Sequence, residues 1–254
     1  KSKNMISIRI LQSVGPKTAQ EWVSRFGFDA EKHPAYLTMA LGAGSVTPMQ
    51  MAAAYSVFAN GGYRVHPWLI TKVTDHKGRV ISETTPPTLD ETNRAIDARN
   101  AFVMNSLLQE VTRSGTAARA QATLKRTDLA GKTGTTNDSV DAWFAGYQPT
   151  VAAVTWIGYD TPRNLGSRET GGGLSLPVWI SFMDRALKGV PITEPKVPAG
   201  VVNVGGDWFY EEYARSGVPS LGLEDKGSST TPLAAPPQQP AAEERNRILD
   251  LFKN

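Results

Sequence analysis

The chain has 254 residues, of which 40% are hydrophobic and 20% charged, and it contains no cysteine. This is enough for one sizeable core, or for one domain with appendages, and it excludes disulfides and cysteine-ligated metals. The net charge of +3 comes without a dense basic run, so nothing in the composition favours nucleic-acid binding.

Neither a metal nor a membrane span is indicated by the sequence. His33, His66 and His76 lie in loop-like sequence without the spacing of metal ligands, so we expect no metal site and no cofactor. No apolar run approaches the roughly 18–20 residues that cross a bilayer, and no signal peptide is visible. Since the chain also lacks an initiator methionine, we expect it to be one piece of a longer protein.

The first third of the chain predicts three helices and a buried loop. A first helix follows Asn4, with apolar residues at Ile6, Ile8, Ile10 and Leu11. A second runs from Pro16 to about Gly27 and places Trp22, Val23 and Phe26 in the core. Residues 37–46 read as a buried loop with two close-approach glycines. Thr47-Pro48 then begins a third helix, which ends at Asn60-Gly61-Gly62.

The middle of the chain predicts a hairpin and a long helix. Residues 68–74 and 79–83 alternate around the turn residues 75–78, which is typical of two paired strands. Asp97 is expected to cap a helix that reaches about Thr112. Its predicted apolar face consists of Ala101, Phe102, Met104, Leu107 and Leu108.

Strands and a further helix follow the segment 131–136. Two strands are predicted at about 141–147 and 151–159, joined by a short turn and therefore antiparallel. A helix from Pro177 to Lys188 carries apolar residues Val178, Ile180, Phe182, Met183 and Leu187. Together these elements predict an α+β domain, an antiparallel sheet flanked by helices, over residues 1–195. We expect a short β appendage at 196–223 and a disordered Pro/Ala-rich tail at 224–254, with a nascent helix from Glu243 to Phe252.

The segment Gly131-Lys132-Thr133-Gly134-Thr135-Thr136 carries the chemistry. Lys132 offers a charge to an anion, and Gly134 leaves the backbone open to a ligand. On a strand, the Thr133 and Thr135 hydroxyls lie on the same side. Three interpretations follow from the residues alone, namely a surface turn, a phosphate-binding loop, and the Lys-Thr-Gly element of penicillin-binding serine enzymes.

The phosphate-loop interpretation is disfavoured because Arg126 stands where its motif needs glycine. The penicillin-binding interpretation requires partners elsewhere in the chain. Ser2-Lys3-Asn4 fits the Ser-x-Asn element of the same enzymes, although a serine there could also simply cap the first helix.

Five stretches, taken together, resemble the C-terminal part of the transpeptidase domain of class A penicillin-binding proteins. They occur in the family order and consist of Ser2-Lys3-Asn4, the segment from Leu41 to Pro48 with Asn60-Gly61-Gly62, Ser114-Gly115-Thr116, residues 132–136, and Asp141-Ala142-Trp143-Phe144. The resemblance implies a β-lactamase-like transpeptidase fold. It also implies a periplasmic enzyme, anchored to the inner membrane, that cross-links peptidoglycan stem peptides ending in D-Ala-D-Ala and is a target of β-lactams. A glycosyltransferase domain is implied upstream.

One family element is absent. No serine is followed by lysine three residues later, so the chain lacks the Ser-x-x-Lys motif that carries the family nucleophile. We expect the nucleophile helix and the first strands of the sheet to lie in an upstream part of the same protein. This chain alone is expected to be inactive.

The resemblance assigns roles to six residues. Ser2 and Lys132 are catalytic, and Asn4, Thr133, Gly134 and Thr135 bind substrate, the last also through its backbone N–H as an oxyanion donor. Two other functions stay open. The first is a carboxypeptidase or β-lactamase, which passes the acyl group to water. The second is a non-catalytic penicillin-binding sensor.

Overall fold

A computed structural model of the chain describes residues 2–86 and 88–214. The two N-terminal helices form as predicted, α1 at Asn4–Val14 and α2 at Pro16–Trp22, with a 3-10 turn at Val23–Phe26. Ile8 and Leu11 pack on Leu37, whereas the side chains of Met5, Ile6, Ile10 and Val14 are exposed. The core placement of Trp22 is wrong, because its ring is exposed and lies under the Arg25 guanidinium at 4.0 Å.

The segment 37–46 is not a buried loop. Leu37–Leu41 forms a 3-10 helix, and the residues from Leu41 to Ser45 are exposed. A Cβ on Gly44 would lie 2.2 Å from His33 Nδ1, so Gly44 is a close approach as expected, whereas Gly42 is needed for its φ of +95° instead. Thr47 and Gln50 then form a reciprocal capping box at the start of α3, Pro48–Ala59.

The predicted hairpin is confirmed with shorter strands, and the predicted long helix is confirmed with nearly the expected bounds. Strands β1 (Lys72–Thr74) and β2 (Val80–Glu83) are antiparallel, and Asp97 caps α4 (Ala98–Arg113), which α5 (Ala118–Leu124) follows. Leu107 does not belong to the buried face of α4 and is exposed. The polar residues Asn105 and Thr112 are buried in its place because each has a hydrogen-bond partner, Tyr147 and the Leu129 carbonyl respectively.

The central sheet has the order β3-β4-β5, and both pairings are antiparallel. Its strands are Ala130–Thr135, Ala142–Gln148 and Val151–Ile157. Strand β4 lies in the middle and is almost wholly buried, whereas every residue of β5 is partly exposed. Strand β3, which carries the Lys-Thr-Gly element, is therefore an edge strand.

Helices cover both faces of this sheet. On one face, Phe144 and Leu129 pack against α5 and against α6 (Leu176–Ala186), whose Trp179 is fully buried. On the other face, Ala130 and Tyr147 pack against α3 and α4. Val178 and Phe182, predicted as apolar positions of α6, are each 52% exposed and border a groove along β5.

The C-terminal appendage is a small hairpin of β6 (Val201–Val204) and β7 (Asp207–Tyr210), followed by α7 (Glu211–Ala214). It docks on α4 through an edge-to-face contact of Trp208 with Phe102 and an ion pair of Glu212 with Arg99. The predicted tail at 224–254, including Glu243 to Phe252, lies outside the described residues. Over the part of the chain that the structure describes, no helix is long and apolar enough to span a membrane, and no cluster of metal-ligating side chains occurs.

A buried ion pair fixes the start of β3. The Asp128 side chain is fully buried and accepts hydrogen bonds from Arg126, from Gln148 of β4 and from the Thr193 backbone N–H. Burial raises the pKa of Asp128, but the hydrogen bonds and the Arg126 charge outweigh it and hold the pKa below its usual value. The pair joins β3, β4 and the segment after α6.

We expect Asp128→Ala to lower the free energy of unfolding by about 3–5 kcal/mol, because it leaves the largely buried Arg126 guanidinium without its carboxylate partner. The folded pKa lies below the unfolded one, so this stabilisation is complete above the unfolded value of about 3.9 and is lost as the pH falls through the folded value. Urea titrations at neutral and acidic pH would measure the difference. Glu194→Gln is the control, because this exposed carboxylate bonds only Thr127 among the described side chains. An equal effect of the two substitutions would contradict the assignment.

Candidate active site

The free edge of β3 presents backbone groups outward. Thr136 N–H donates to the Asp141 carbonyl at 3.1 Å. The backbone groups of β3 that bond β4 are therefore those of its even-numbered residues. Because backbone groups alternate along a strand, the N–H groups of Thr133 and Thr135 point away from β4. The Thr135 N–H is therefore not used by β4 and is directed out of the sheet.

Lys132 and Ser2 meet across the site although they are 130 positions apart in sequence. The Lys132 ammonium donates to Ser2 Oγ at 3.2 Å and to the Thr133 carbonyl at 2.8 Å. Burial lowers the pKa of Lys132 from its ordinary value. Both bonded partners are neutral oxygen atoms, so the positive charge of Lys132 is not neutralised by either of them and remains available to an anion.

Ser2 is not the cap of α1. The capping position is occupied by Lys3, which makes no side-chain capping bond, and α1 begins at Asn4. Ser2 instead turns to Lys132, as the Ser-x-Asn interpretation requires. The Asn4 side chain is exposed, and among the described residues no side-chain hydrogen bond or pocket contact of Asn4 connects it to β3.

The Thr133 and Thr135 hydroxyls each have a hydrogen-bond partner that the sequence alone did not predict. Thr133 Oγ1 lies 2.8 Å from Thr116 Oγ1, and Thr135 Oγ1 accepts from the Gly171 N–H at 3.1 Å. The glycine run 171–173 and the stretch 114–116 were visible in the sequence. Their proximity to β3 depends on the packing of α5 and α6, which spacing alone does not give.

Two glycines beside the site serve different purposes. A Cβ on Gly171 would lie 2.2 Å from the Trp143 carbonyl oxygen and 2.4 Å from that of Gly134, so only glycine can lie this close to the sheet. A Cβ on Gly134 would meet only the Trp143 side chain, with Cβ at 3.2 Å, which is a tight contact without severe overlap. Packing within the described chain therefore demands glycine at 171 far more strictly than at 134.

A cavity of about 520 Å³ opens beside β3. One wall consists of Leu41, Gly42 and residues 44–48 together with Met51 and Tyr55 of α3. The other is the sheet from Lys132 to Thr136 with Trp143, Ala145 and Trp156. Burial raises the pKa of Tyr55 to about 12, so its hydroxyl stays protonated at neutral pH. The exposed segment that was predicted as a buried loop is thus a wall of the site.

Comparison with known proteins identifies the family. The sequence model of the penicillin binding protein transpeptidase domain matches residues 1–183. The chain belongs to this transpeptidase family, and the predicted α+β fold of penicillin-binding proteins is confirmed.

The chain is 47% identical over 232 residues to penicillin-binding protein 1A of Neisseria flavescens, covering 91% of this chain and 29% of that protein. It is 37% identical over 305 residues to penicillin-binding protein 1A of Pseudomonas aeruginosa, covering 99% of this chain and 37% of that protein. The chain thus spans well under half the length of these relatives.

Solved structures give the same fold. The crystal structure of penicillin-binding protein 1A from Haemophilus influenzae matches with a TM-score of 0.76 and 33% identity, over 80% of this chain and 35% of that one. Penicillin-binding protein PonA1 from Mycobacterium tuberculosis matches with a TM-score of 0.60 and 26% identity, over 74% of this chain and 53% of that one.

We expect Gly171→Ala to destabilise the fold by about 1–3 kcal/mol, because the added methyl group forces the segment before α6 away from β3 and β4. Gly173→Ala is the matched control, since its Cβ would meet only Thr170 Oγ1 at 3.4 Å. Thermal unfolding of both variants measures the effect. Equal melting temperatures would mean that Gly171 does not fit against the sheet as described.

Proposed function

We propose that this chain supplies one part of the active site of a peptidoglycan D,D-transpeptidase, a serine-type acyltransferase inhibited by β-lactams. The observation that carries the proposal is the contact of Lys132 with Ser2, at the open edge of β3. It joins the Ser-x-Asn and Lys-Thr-Gly elements, which are distant in sequence, in the way that the family chemistry needs.

The nucleophile belongs, in this proposal, to a Ser-x-x-Lys segment in an upstream part of the same protein. The cavity between α3 and β3 is where such a segment would reach Lys132, which bonds Ser2. The serine oxygen attacks the carbonyl carbon between two D-alanines, and a base takes the serine proton. The C–N bond breaks, an acyl-enzyme forms and D-alanine leaves as the amine. The amine of a second stem peptide then attacks the acyl carbon and releases the serine.

Each group of this chain has a defined task in that sequence. Ser2 both accepts and donates a hydrogen bond, so it relays a proton between the nucleophile region and the leaving amine. The charge of Lys132 favours the substrate carboxylate and keeps the upstream lysine unprotonated. The Thr135 N–H stabilises the oxyanion, and loss of one such donor typically costs about 2.7–4 kcal/mol of barrier.

The remaining substrate contacts involve side chains and the glycine. The Thr133 and Thr135 hydroxyls bind the terminal carboxylate of the donor peptide. Gly134 lets the substrate approach the main chain, in keeping with the weak packing demand for glycine there. Asn4 holds a substrate amide through its carboxamide group once substrate is bound.

The relatives favour this function over hydrolysis or sensing, because those at 47% and 37% identity are penicillin-binding protein 1A. By the same relationship, we propose that the complete protein lies on the periplasmic face of the inner membrane, with an anchor and a glycosyltransferase domain upstream. A rapid loss of the acyl group to water would instead indicate a carboxypeptidase or β-lactamase. Reversible penicillin binding without acylation would indicate a sensor.

We expect Lys132→Ala, in the complete protein, to slow acylation by penicillin by at least about a hundredfold with little change in folding, because it removes the charge that activates the site. The acylation rate is measured with labelled penicillin in samples quenched at set times. Lys188→Ala is the control, since this exposed lysine follows the far end of α6. Acylation of the Lys132 variant at the wild-type rate would refute the role of Lys132.

A further inference from the structure

The hydroxyl of Thr116 lies against strand β3, although Thr116 itself is outside the sheet. Thr116 lies in the turn between α4 and α5, and its Oγ1 is 2.8 Å from Thr133 Oγ1. The Thr116 side chain is otherwise exposed. The proposed function gives roles to Ser2, Asn4 and the residues of β3 but none to the stretch Ser114-Gly115-Thr116.

The position of Thr116 is fixed by the residues on both sides of it. A Cβ on Gly115 would lie 2.7 Å from Val111 Cα and 2.9 Å from the Val111 carbonyl oxygen, so only glycine lets the turn fold back on α4. Ala117 is fully buried, and its N–H donates to the Val111 carbonyl at 3.1 Å. The turn is thereby held on both sides of Thr116.

The same turn is tied to β3 and to the segment before α6. The buried Thr112 hydroxyl near the end of α4 bonds the carbonyl of Leu129, the residue immediately before β3. From the other side, a Cβ on Gly172 would lie 3.4 Å from the Thr116 carbonyl oxygen and 3.9 Å from Thr133 Cγ2. Thr116 and Thr133 thus form a packed pair, which the glycine run before α6 adjoins.

The hydrogen-bond inventory of this group favours an anion. Two hydroxyls that bond each other use one of their two hydrogens, so the pair retains one O–H to donate. Thr135 Oγ1 already accepts from the Gly171 N–H, so its own O–H is likewise left to donate outward. Donors of this kind, next to the Lys132 ammonium, match a carboxylate, whose oxygens only accept.

We propose that Thr116 is a positioning residue of the carboxylate-binding subsite, which orients the Thr133 hydroxyl towards the terminal carboxylate of the donor peptide or of a β-lactam. This inference rests on the proposed function and deepens it. When Thr116 donates to Thr133, the Thr133 hydrogen is directed away from the pair and towards the ligand. Without the Thr116 hydroxyl, Thr133 keeps its O–H but loses the bond that fixes its direction.

The test compares acylation of the complete protein by benzylpenicillin and by its methyl ester, which lacks the anionic carboxylate. We expect Thr116→Val to lower the second-order rate constant for the acid by roughly three- to tenfold, because the Thr133 O–H is kept but no longer directed, so its charge-assisted hydrogen bond to the carboxylate is weakened rather than lost. For the ester we expect the rate constants of the variant and the wild type to agree within about twofold, because the ester has no carboxylate for the Thr133 hydroxyl to bind. Thr116→Ser keeps the hydroxyl and should restore the acid rate.

Two controls separate this effect from a loss of structure. Thr116→Ala also removes the hydroxyl but introduces a smaller side chain, so it replaces Thr116→Val if the valine variant folds poorly. The same loss of rate is expected for it. Thr127→Val removes an exposed threonine hydroxyl that bonds Glu194 near the opposite end of β3, and should leave both rates unchanged. Unaltered melting temperatures would establish that the variants are folded.

The outcomes distinguish the two proposals. If penicillin acylates the wild type and Thr116→Val has the same rate constant, or a rate constant lowered equally for acid and ester, the role of Thr116 is overturned and the proposed function stands. A wild-type protein that neither ligand acylates would overturn the proposed function and this inference together.

Discussion

In the described part of the chain, strand β3 is bonded to β4 along one side only, and the other groups of the site are arranged around its free edge. The Thr133 and Thr135 N–H groups point out from that edge because the alternate residues bond β4. The Lys132 side chain reaches Ser2, while the two threonine hydroxyls meet Thr116 and Gly171. An interior strand would have its backbone groups occupied on both sides and could not present them to a ligand.

An edge that binds a charged ligand has to be held in place at both ends. The buried Asp128 carboxylate lies just before β3 and accepts hydrogen bonds from Gln148 of β4 and from the Thr193 N–H. At the other end, the Thr136 N–H bonds the Asp141 carbonyl and the Asp141 N–H bonds Thr136 Oγ1. Both anchors lie outside the reacting groups. They fix the β3 donors in the chain without a ligand, which is what the proposed oxyanion role of the Thr135 N–H requires.

Local signals in the sequence predicted most of the elements that hold the site. Thr47 and Pro48 predicted the start of α3, Asp97 that of α4, and the alternating residues after 141 predicted β4 and β5. These features depend on neighbouring residues and can therefore be read from a single segment. The placing of Ser2 and Lys132 in one site was expected only from the resemblance to a family, because no local rule joins residues so far apart.

The sequence predicted several buried side chains correctly, among them Ala101, Leu108 and Met183, but it misplaced others. Trp22 and Leu107 are exposed, whereas Asn105 and Thr112 are buried with hydrogen-bond partners from other elements. The same limit hid Thr116 and Gly171, since their relation to β3 arises from how α5 and α6 pack on the sheet. Tertiary packing decides these positions, and it overrides what hydrophobic periodicity indicates.

The central claim is that this chain contributes to a serine acyl-enzyme site whose nucleophile lies in upstream sequence. Peptide mapping by mass spectrometry of the complete protein, after reaction with penicillin, tests it most directly. We expect one penicilloyl adduct, on a serine that lies upstream of this chain and is followed three residues later by lysine. An adduct on any serine of this chain, or no adduct at all, would contradict it.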